Sequence, residues 1–240
     1  MLRNFLIAIL LATAATQVRA DSYSCQQAGL DACKGKGPTC CEPPPCMYKY
    51  QLTMYRMLVE LFADPAIVAC GGTDIAAYVN RLARKPAFQN ALPRCPTTYE
   101  GKELNFPPEL ATHRSGSKPT SPCKVFQVDT ATNTETDSDP SRAAKKSTTC
   151  TELIDVNFKH EAYHMDRCKA VGAADFPSSN QTSVALDEAA GYFISTYETD
   201  QLLRHWNARC TPTKDRKKAL KDATDGIAAL KRSVPRGRCP

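Results

Sequence analysis

Twelve cysteines behind an export signal set the main limit on how this 240-residue chain can fold. Met1–Ala20 carries Arg3, then the apolar run Phe5–Thr16, then Gln17-Val-Arg-Ala20 with Val18 and Ala20 at the −3 and −1 positions. That order of charged, apolar and small residues is the pattern of a secretory signal peptide, with cleavage expected after Ala20. The apolar run is shorter than the roughly 20 residues that span a bilayer, so no stable membrane anchor is expected once the signal is gone. All twelve cysteines follow Ala20. In an oxidising compartment an even set reads as disulfides rather than thiolate metal sites. The expected localisation is secreted or periplasmic.

Apolar residues make up 42% of the chain, enough to build a buried core. Removing the signal takes away Arg3 and Arg19 and lowers the net charge from +6 to +4. Few aromatic residues are interleaved with the basic ones, so no nucleic-acid partner is expected. Met47, Tyr50, Met54, Leu58 and Leu61 recur at helical spacing and predict a helix over Met47–Ala63, ended by Asp64-Pro65. Thr73–Arg84 reads as a second helix with Thr73 as its N-cap. Pro93–Pro122 is Pro-rich and irregular. Lys124–Asp129 alternates like a strand, and Thr130–Thr148 reads as a mobile loop or a turn between strands. Thr149–Ala170 and Thr182–Cys210 are helical stretches. Lys214–Arg232 is a basic amphipathic helix with Leu220, Ala223, Ile227 and Leu230 on its apolar side. The expected fold class is α+β, helix-dominated, disulfide-rich, with a small sheet. Its divisions are 1–20 (signal), 21–110 (a Cys-rich helical N-terminal region, with a pro-segment as one reading) and 111–240.

The chemistry concentrates at residues 160–164, His-Glu-Ala-Tyr-His. In a helix, positions i and i+4 lie one above the other, so His160 and His164 can offer nitrogen to one metal ion. Glu161 is then placed to act as general base on a water that the metal polarises. The chain holds four histidines, and no Pro or Gly falls between Thr149 and Val171, so a helix is allowed where the motif needs one. Zn2+ is the expected cofactor, and it needs a third protein ligand. Glu188, in Ala185-Leu-Asp-Glu-Ala-Ala-Gly-Tyr192, is the preferred candidate over its neighbour Asp187. It has the longer arm, and its small neighbours let a second helix come close. Cys150 and Cys168 flank the motif and read as disulfide partners that pin its helix.

His160-Glu-Ala-Tyr-His164 with Glu188 downstream resembles the zincin metallopeptidase superfamily, specifically the gluzincin arrangement of thermolysin-like enzymes. The resemblance implies a zincin-like catalytic region, His160, His164 and Glu188 as ligands, and Glu161 as general base. It also implies an edge strand beside the motif helix, for which Lys124–Asp129 is the candidate, and a donor for the tetrahedral oxyanion. His205 is the preferred donor, with Tyr192 and Tyr197 as the other ring candidates. Thermolysin-like enzymes carry an Asp four positions after the ligand Glu, which orients a ligand His. Here Tyr192 stands at that position, and Asp187 is the candidate substitute. The third His of the metzincins and the Asp-ligand pattern of deuterolysin-like enzymes are absent downstream of His164. The expected function is an exported zinc metallopeptidase acting on protein or peptide, with cell-wall peptide as a further substrate in a bacterium. The competing reading is a non-enzymatic, disulfide-rich binding protein, such as a toxin or inhibitor.

Overall fold

The computed structural model describes residues 46–95, 98–99, 102–103, 110–111, 123–129, 134–136, 142, 150–172, 176, 180–206 and 213–233. The signal segment, the first four cysteines, His113, Cys210 and Cys239 lie outside the described residues. The described helices are α1 (Cys46–Phe62), α2 (Pro65–Gly71), α3 (Ile75–Ala83), α4 (Pro86–Gln89), α5 (Thr151–Val171), α6 (Gln181–Trp206) and α7 (Thr213–Ser233). The protein is helix-dominated, as its periodicities imply.

Local chemistry explains where the helices begin. Asp64 turns the chain out of α1 and caps α2, its Oδ1 accepting from the N–H groups of Ala66 and Ile67 at 2.9 and 3.3 Å. Pro65 then occupies the first helical position, where its missing N–H costs nothing. Gly72 ends α2 with φ +60°, a conformation that favours glycine. The cap of α3 is Asp74, not the expected Thr73: Asp74 Oδ1 accepts from the Ala77 N–H at 2.9 Å. The chain is still extended at Asp74, so the carboxylate one residue further on meets the free N–H groups. Asn180 caps α6 in the same way, accepting from Thr182 N–H at 3.0 Å.

The core lies where α1 packs between α6 and α7. Met47, Leu52, Met57 and Leu61 of α1 are buried, as are Ala185 and Leu203 of α6 and Ala223, Ile227 and Leu230 of α7. Helices α2–α4 close the same core through Ile67, Ile75, Leu82 and Phe88. Residues of α1–α4 and α5–α7 thus share one apolar cluster. Helix α5 lies along α6 in the opposite direction. Lys159–Glu198 at 2.6 Å and Arg167–Asp187 at 3.2 Å mark the register of that pair. No described helix is long and apolar enough to cross a membrane.

The sheet part is small. Strands β1 (Thr98–Tyr99) and β2 (Lys102–Glu103) form one antiparallel pair. Strands β3 (Leu110–Ala111), β4 (Phe126–Asp129) and β5 (Thr134–Thr136) form a second sheet in the order β3-β4-β5. The strand expected at Lys124–Asp129 is therefore present from Phe126 but is not an edge. It pairs on one side with β3 (Leu110↔Gln127) and on the other with β5 (Val128↔Glu135). Its ladder groups are engaged on both flanks, so it cannot accept an added strand. Two segments read as irregular or looped supply its neighbours.

Two described disulfides staple this arrangement. Cys46–Cys95 joins the start of α1 to the chain after α4, and Cys123–Cys168 joins the approach to β4 to the last turn of α5. Each closes a loop long enough to contribute about 4 kcal/mol by chain entropy. Cys70 and Cys150 are also disulfide-bonded. The bridge that pins the motif helix thus runs from Cys168 to Cys123, and Cys150 is bonded elsewhere.

Helix α7 approaches α1 closely at Gly226. A Cβ there would fall 2.4 Å from Ala91 Cβ and 2.9 Å from Met57 Cε. An exposed helical Gly→Ala gains about 1 kcal/mol. At this site overpacking outweighs that gain. Gly226→Ala is expected to lower the unfolding free energy by about 1–2 kcal/mol in urea titration, and a rise would show that α7 is not seated this closely.

Candidate metal centre

His160 and His164 sit one turn apart on α5, on the face that meets α6, and both are buried to 6% exposure. Their Nε2 atoms are 3.0 Å apart. Glu188 approaches from α6, with Oε2 3.8 Å from His160 Nε2 and Oε1 3.8 Å from His164 Nε2. The three residues form a group whose candidate ligand atoms all lie within 4.8 Å of one another. Donors that share a tetrahedral zinc about 2.0–2.2 Å away lie about 3.3–3.6 Å from each other. The observed spacings straddle that range, so a small contraction of Glu188 onto the histidines would hold an ion.

The electrostatics of the group call for a cation. Burial pulls the His160 imidazole down to about 3, helped by the neighbouring His164, and pulls His164 down to about 4. Both rings are therefore neutral at physiological pH, the form that ligates metal. Burial, and then the charge of Asp187, pushes the Glu188 carboxyl up to about 7. Neither histidine supplies a positive charge to this carboxylate. A divalent ion would supply it.

Three contacts orient the ligands. Ser195, 1% exposed on α6, lies with Oγ 3.3 Å from His160 Nδ1, leaving Nε2 for the metal. The His160 ring also packs edge-on against Tyr192, with centroids 4.5 Å apart, and Tyr192 stacks on Phe62 at 5.7 Å. Finally, His160 lies against the backbone of α6 at Gly191, where an added Cβ would be 2.8 Å from both Cε1 and Nε2 of the ring. Glycine is required here by close approach. Asp187 lies outside the three-residue group and accepts from Arg167 Nε at 3.2 Å and Tyr163 OH at 3.3 Å; its charge acts on His164, and Tyr163 packs edge-on against that ring.

Glu161 Oε1 is 3.9 Å from His160 Nε2. Glu161 and His160 line one end of a cavity of about 470 Å3 whose other walls come from α1, α3 and α4. Tyr55 of α1 donates its hydroxyl hydrogen bond to Asn157 Oδ1, one turn before His160, and this ties that wall to the motif helix. Of the three ring candidates for an oxyanion donor, Tyr192 lines this cavity. Tyr197 is 56% exposed on α6. His205 does not belong to the site. Glu188 and His205 lie seventeen positions apart on one continuous helix, about 25 Å along its axis, too far to meet at one site.

Glu188, Gly191, Tyr192 and Ser195 follow the i, i+3, i+4, i+7 spacing of a single helix face. Sequence reasoning missed Gly191 and Ser195, and that spacing is the signal that could have found them beside Glu188. No family model matches the chain, and no curated protein or solved structure was found to be similar to it.

Two outcomes are expected. Gly191→Ala should weaken metal binding by at least about tenfold in a competition titration while leaving the protein folded, because helix propensity favours alanine as the His160 ring is displaced. Unchanged affinity would show that His160 does not ligate in this pose. Metal affinity should also fall as the pH is lowered. Between about pH 5 and 6.5 the imidazoles carry no proton to displace, whereas Glu188 does. A plot of log affinity against pH should therefore rise with a slope of about one. A slope of two or three would mean that the histidines are protonated in the metal-free protein.

Proposed function

We propose that the protein is an exported zinc metallopeptidase of the zincin type, which hydrolyses amide bonds in protein or peptide substrates. The observation that carries this reading is the convergence of His160, His164 and Glu188 from two helices, with Glu161 beside them at the end of an open cavity. The donor set of two imidazoles and one carboxylate is that of the catalytic zinc sites which keep a coordination position open. Zinc, when bound, polarises water and the scissile carbonyl.

The chain's own residues do the rest. Glu161 takes the proton of the attacking water and returns it to the leaving amine nitrogen. Ser195 and the Gly191 backbone fix the orientation of His160. Tyr192, whose ring packs against His160 and Phe62 and which lines the cavity, would take the role of ring donor to charge developing on the carbonyl oxygen. Met54, Leu58 and Phe88 of α1 and α4 give the cavity an apolar wall. Disulfides and the apolar Phe5–Thr16 segment support an oxidising, exported setting.

The test is zinc content and peptide cleavage on the oxidised protein lacking residues 1–20. About one zinc per chain is expected, lost or strongly weakened in Glu188→Ala. Glu161→Gln should keep the zinc and lose hydrolysis of a peptide library by at least about a thousandfold. A folded, fully oxidised protein that takes up no zinc would overturn the metallopeptidase reading and leave the disulfide-rich binding protein in its place.

A further inference from the structure

Two polar groups that line the cavity beside Glu161 have no partner among the described residues, one of them buried and the other exposed. Gln51 of α1 is 4% exposed and lines the cavity, yet its amide oxygen has no hydrogen-bond partner. A buried carbonyl oxygen without a donor is costly, so such a group points to a ligand that brings an N–H. Arg84, following α3, also lines the cavity; it is exposed at the cavity mouth, solvated, and has no ion-pair or hydrogen-bond partner among the described residues. A guanidinium left free at the wall of a concave site matches a carboxylate, which it can hold through two parallel bonds. Between these groups the wall is apolar and aromatic, formed by Tyr50, Met54, Leu58 and Phe88. The volume of about 470 Å3 lies within the range of small-molecule sites, about 300–1,000 Å3.

These complementary features describe one kind of chemical fragment: an N–H donor, an apolar side chain and a carboxylate. We propose that this cavity binds the C-terminal residue of a peptide, with its amide N–H on Gln51, an apolar or aromatic side chain against Met54 and Phe88, and its free α-carboxylate on Arg84. Glu161 at the metal end repels a second anion, which orients the carboxylate away from the metal. The inference rests on the metallopeptidase reading for its catalytic meaning, since it makes the enzyme an exopeptidase that removes apolar C-terminal residues. Gln51 and Arg84 are then specificity residues.

Binding is measured without turnover, so this inference can fail independently of that reading. N-acetyl-phenylalanine and its C-terminal amide are titrated calorimetrically into the oxidised protein, with zinc loaded and again with zinc removed by a chelator. The acid should bind at least about tenfold more tightly than the amide in both states. Arg84→Ala should bring the two ligands to equal affinity. Gln51→Leu, which relieves an unpaired buried oxygen and so should fold, is expected to weaken both ligands alike by several-fold. Equal binding of acid and amide by the unaltered protein, or no binding of either, overturns the proposal. So does a preference that survives Arg84→Ala, because the carboxylate would then be binding elsewhere. None of these results touches the zinc content or the effect of Glu161→Gln, which decide the metallopeptidase reading.

Discussion

The candidate site depends on how closely two helix backbones approach. Helix α6 comes near enough to α5 for the His160 ring to lie against the main chain at Gly191, with no room for a single added methyl group. That contact places Glu188 one turn before Gly191 and Ser195 one turn after it, both within reach of the same imidazole. The salt links at Lys159–Glu198 and Arg167–Asp187 bracket the contact from either side and resist sliding of one helix along the other. A slip of one residue in this pairing would exchange Glu188 for Asp187, whose shorter arm already serves Arg167 and Tyr163.

Burial gives the cluster its chemical character. Water would keep the imidazoles partly protonated near neutrality and the carboxyl fully ionised. Withdrawn from water, the imidazoles are neutral and the carboxyl holds its proton more tightly. The result is a set of lone pairs with no internal cation. The carboxyl can be neutralised by its own proton or by a cation from outside the chain, and the same low-dielectric surroundings would strengthen the bonds to such an ion.

Much of this was legible in the sequence where short-range periodicity decides the geometry. The four-residue spacing of His160 and His164 puts both on one helix face, and Glu188 is the acidic candidate on the partner helix, whereas Gly191 and Ser195 on its face were not singled out. The helices at α1, α5, α6 and α7 follow from their apolar stripes. What escaped reading depends on the length of elements and on distant packing. His205 follows Leu203 as a polar ring, but helix α6 runs unbroken from Gln181 to Trp206 and carries that position away from the candidate ligands. Ser195 serves His160 because it lies seven residues, two turns, past Glu188, whereas a short list of acidic neighbours suggested Asp187. The pairing of β4 on both sides depends on strands of two and three residues, too short to show a period. The wall built by Gln51 and Arg84 joins residues more than thirty positions apart to a motif a hundred positions further on, which no local pattern encodes.

The two described disulfides enclose consecutive, non-interleaved stretches, residues 46–95 and 123–168. The first loop contains the cavity wall and the second contains the metal-binding histidines, while Glu188 lies beyond both. During vectorial export, the cysteines of each bridge would emerge together and could pair before the next stretch arrives. Each half of the cleft would then be covalently fixed before α6 is delivered to join them. Helix α6, which carries the third candidate ligand, follows both loops in the chain, so its docking and the completion of the candidate metal centre would be one event, with α7 still to come.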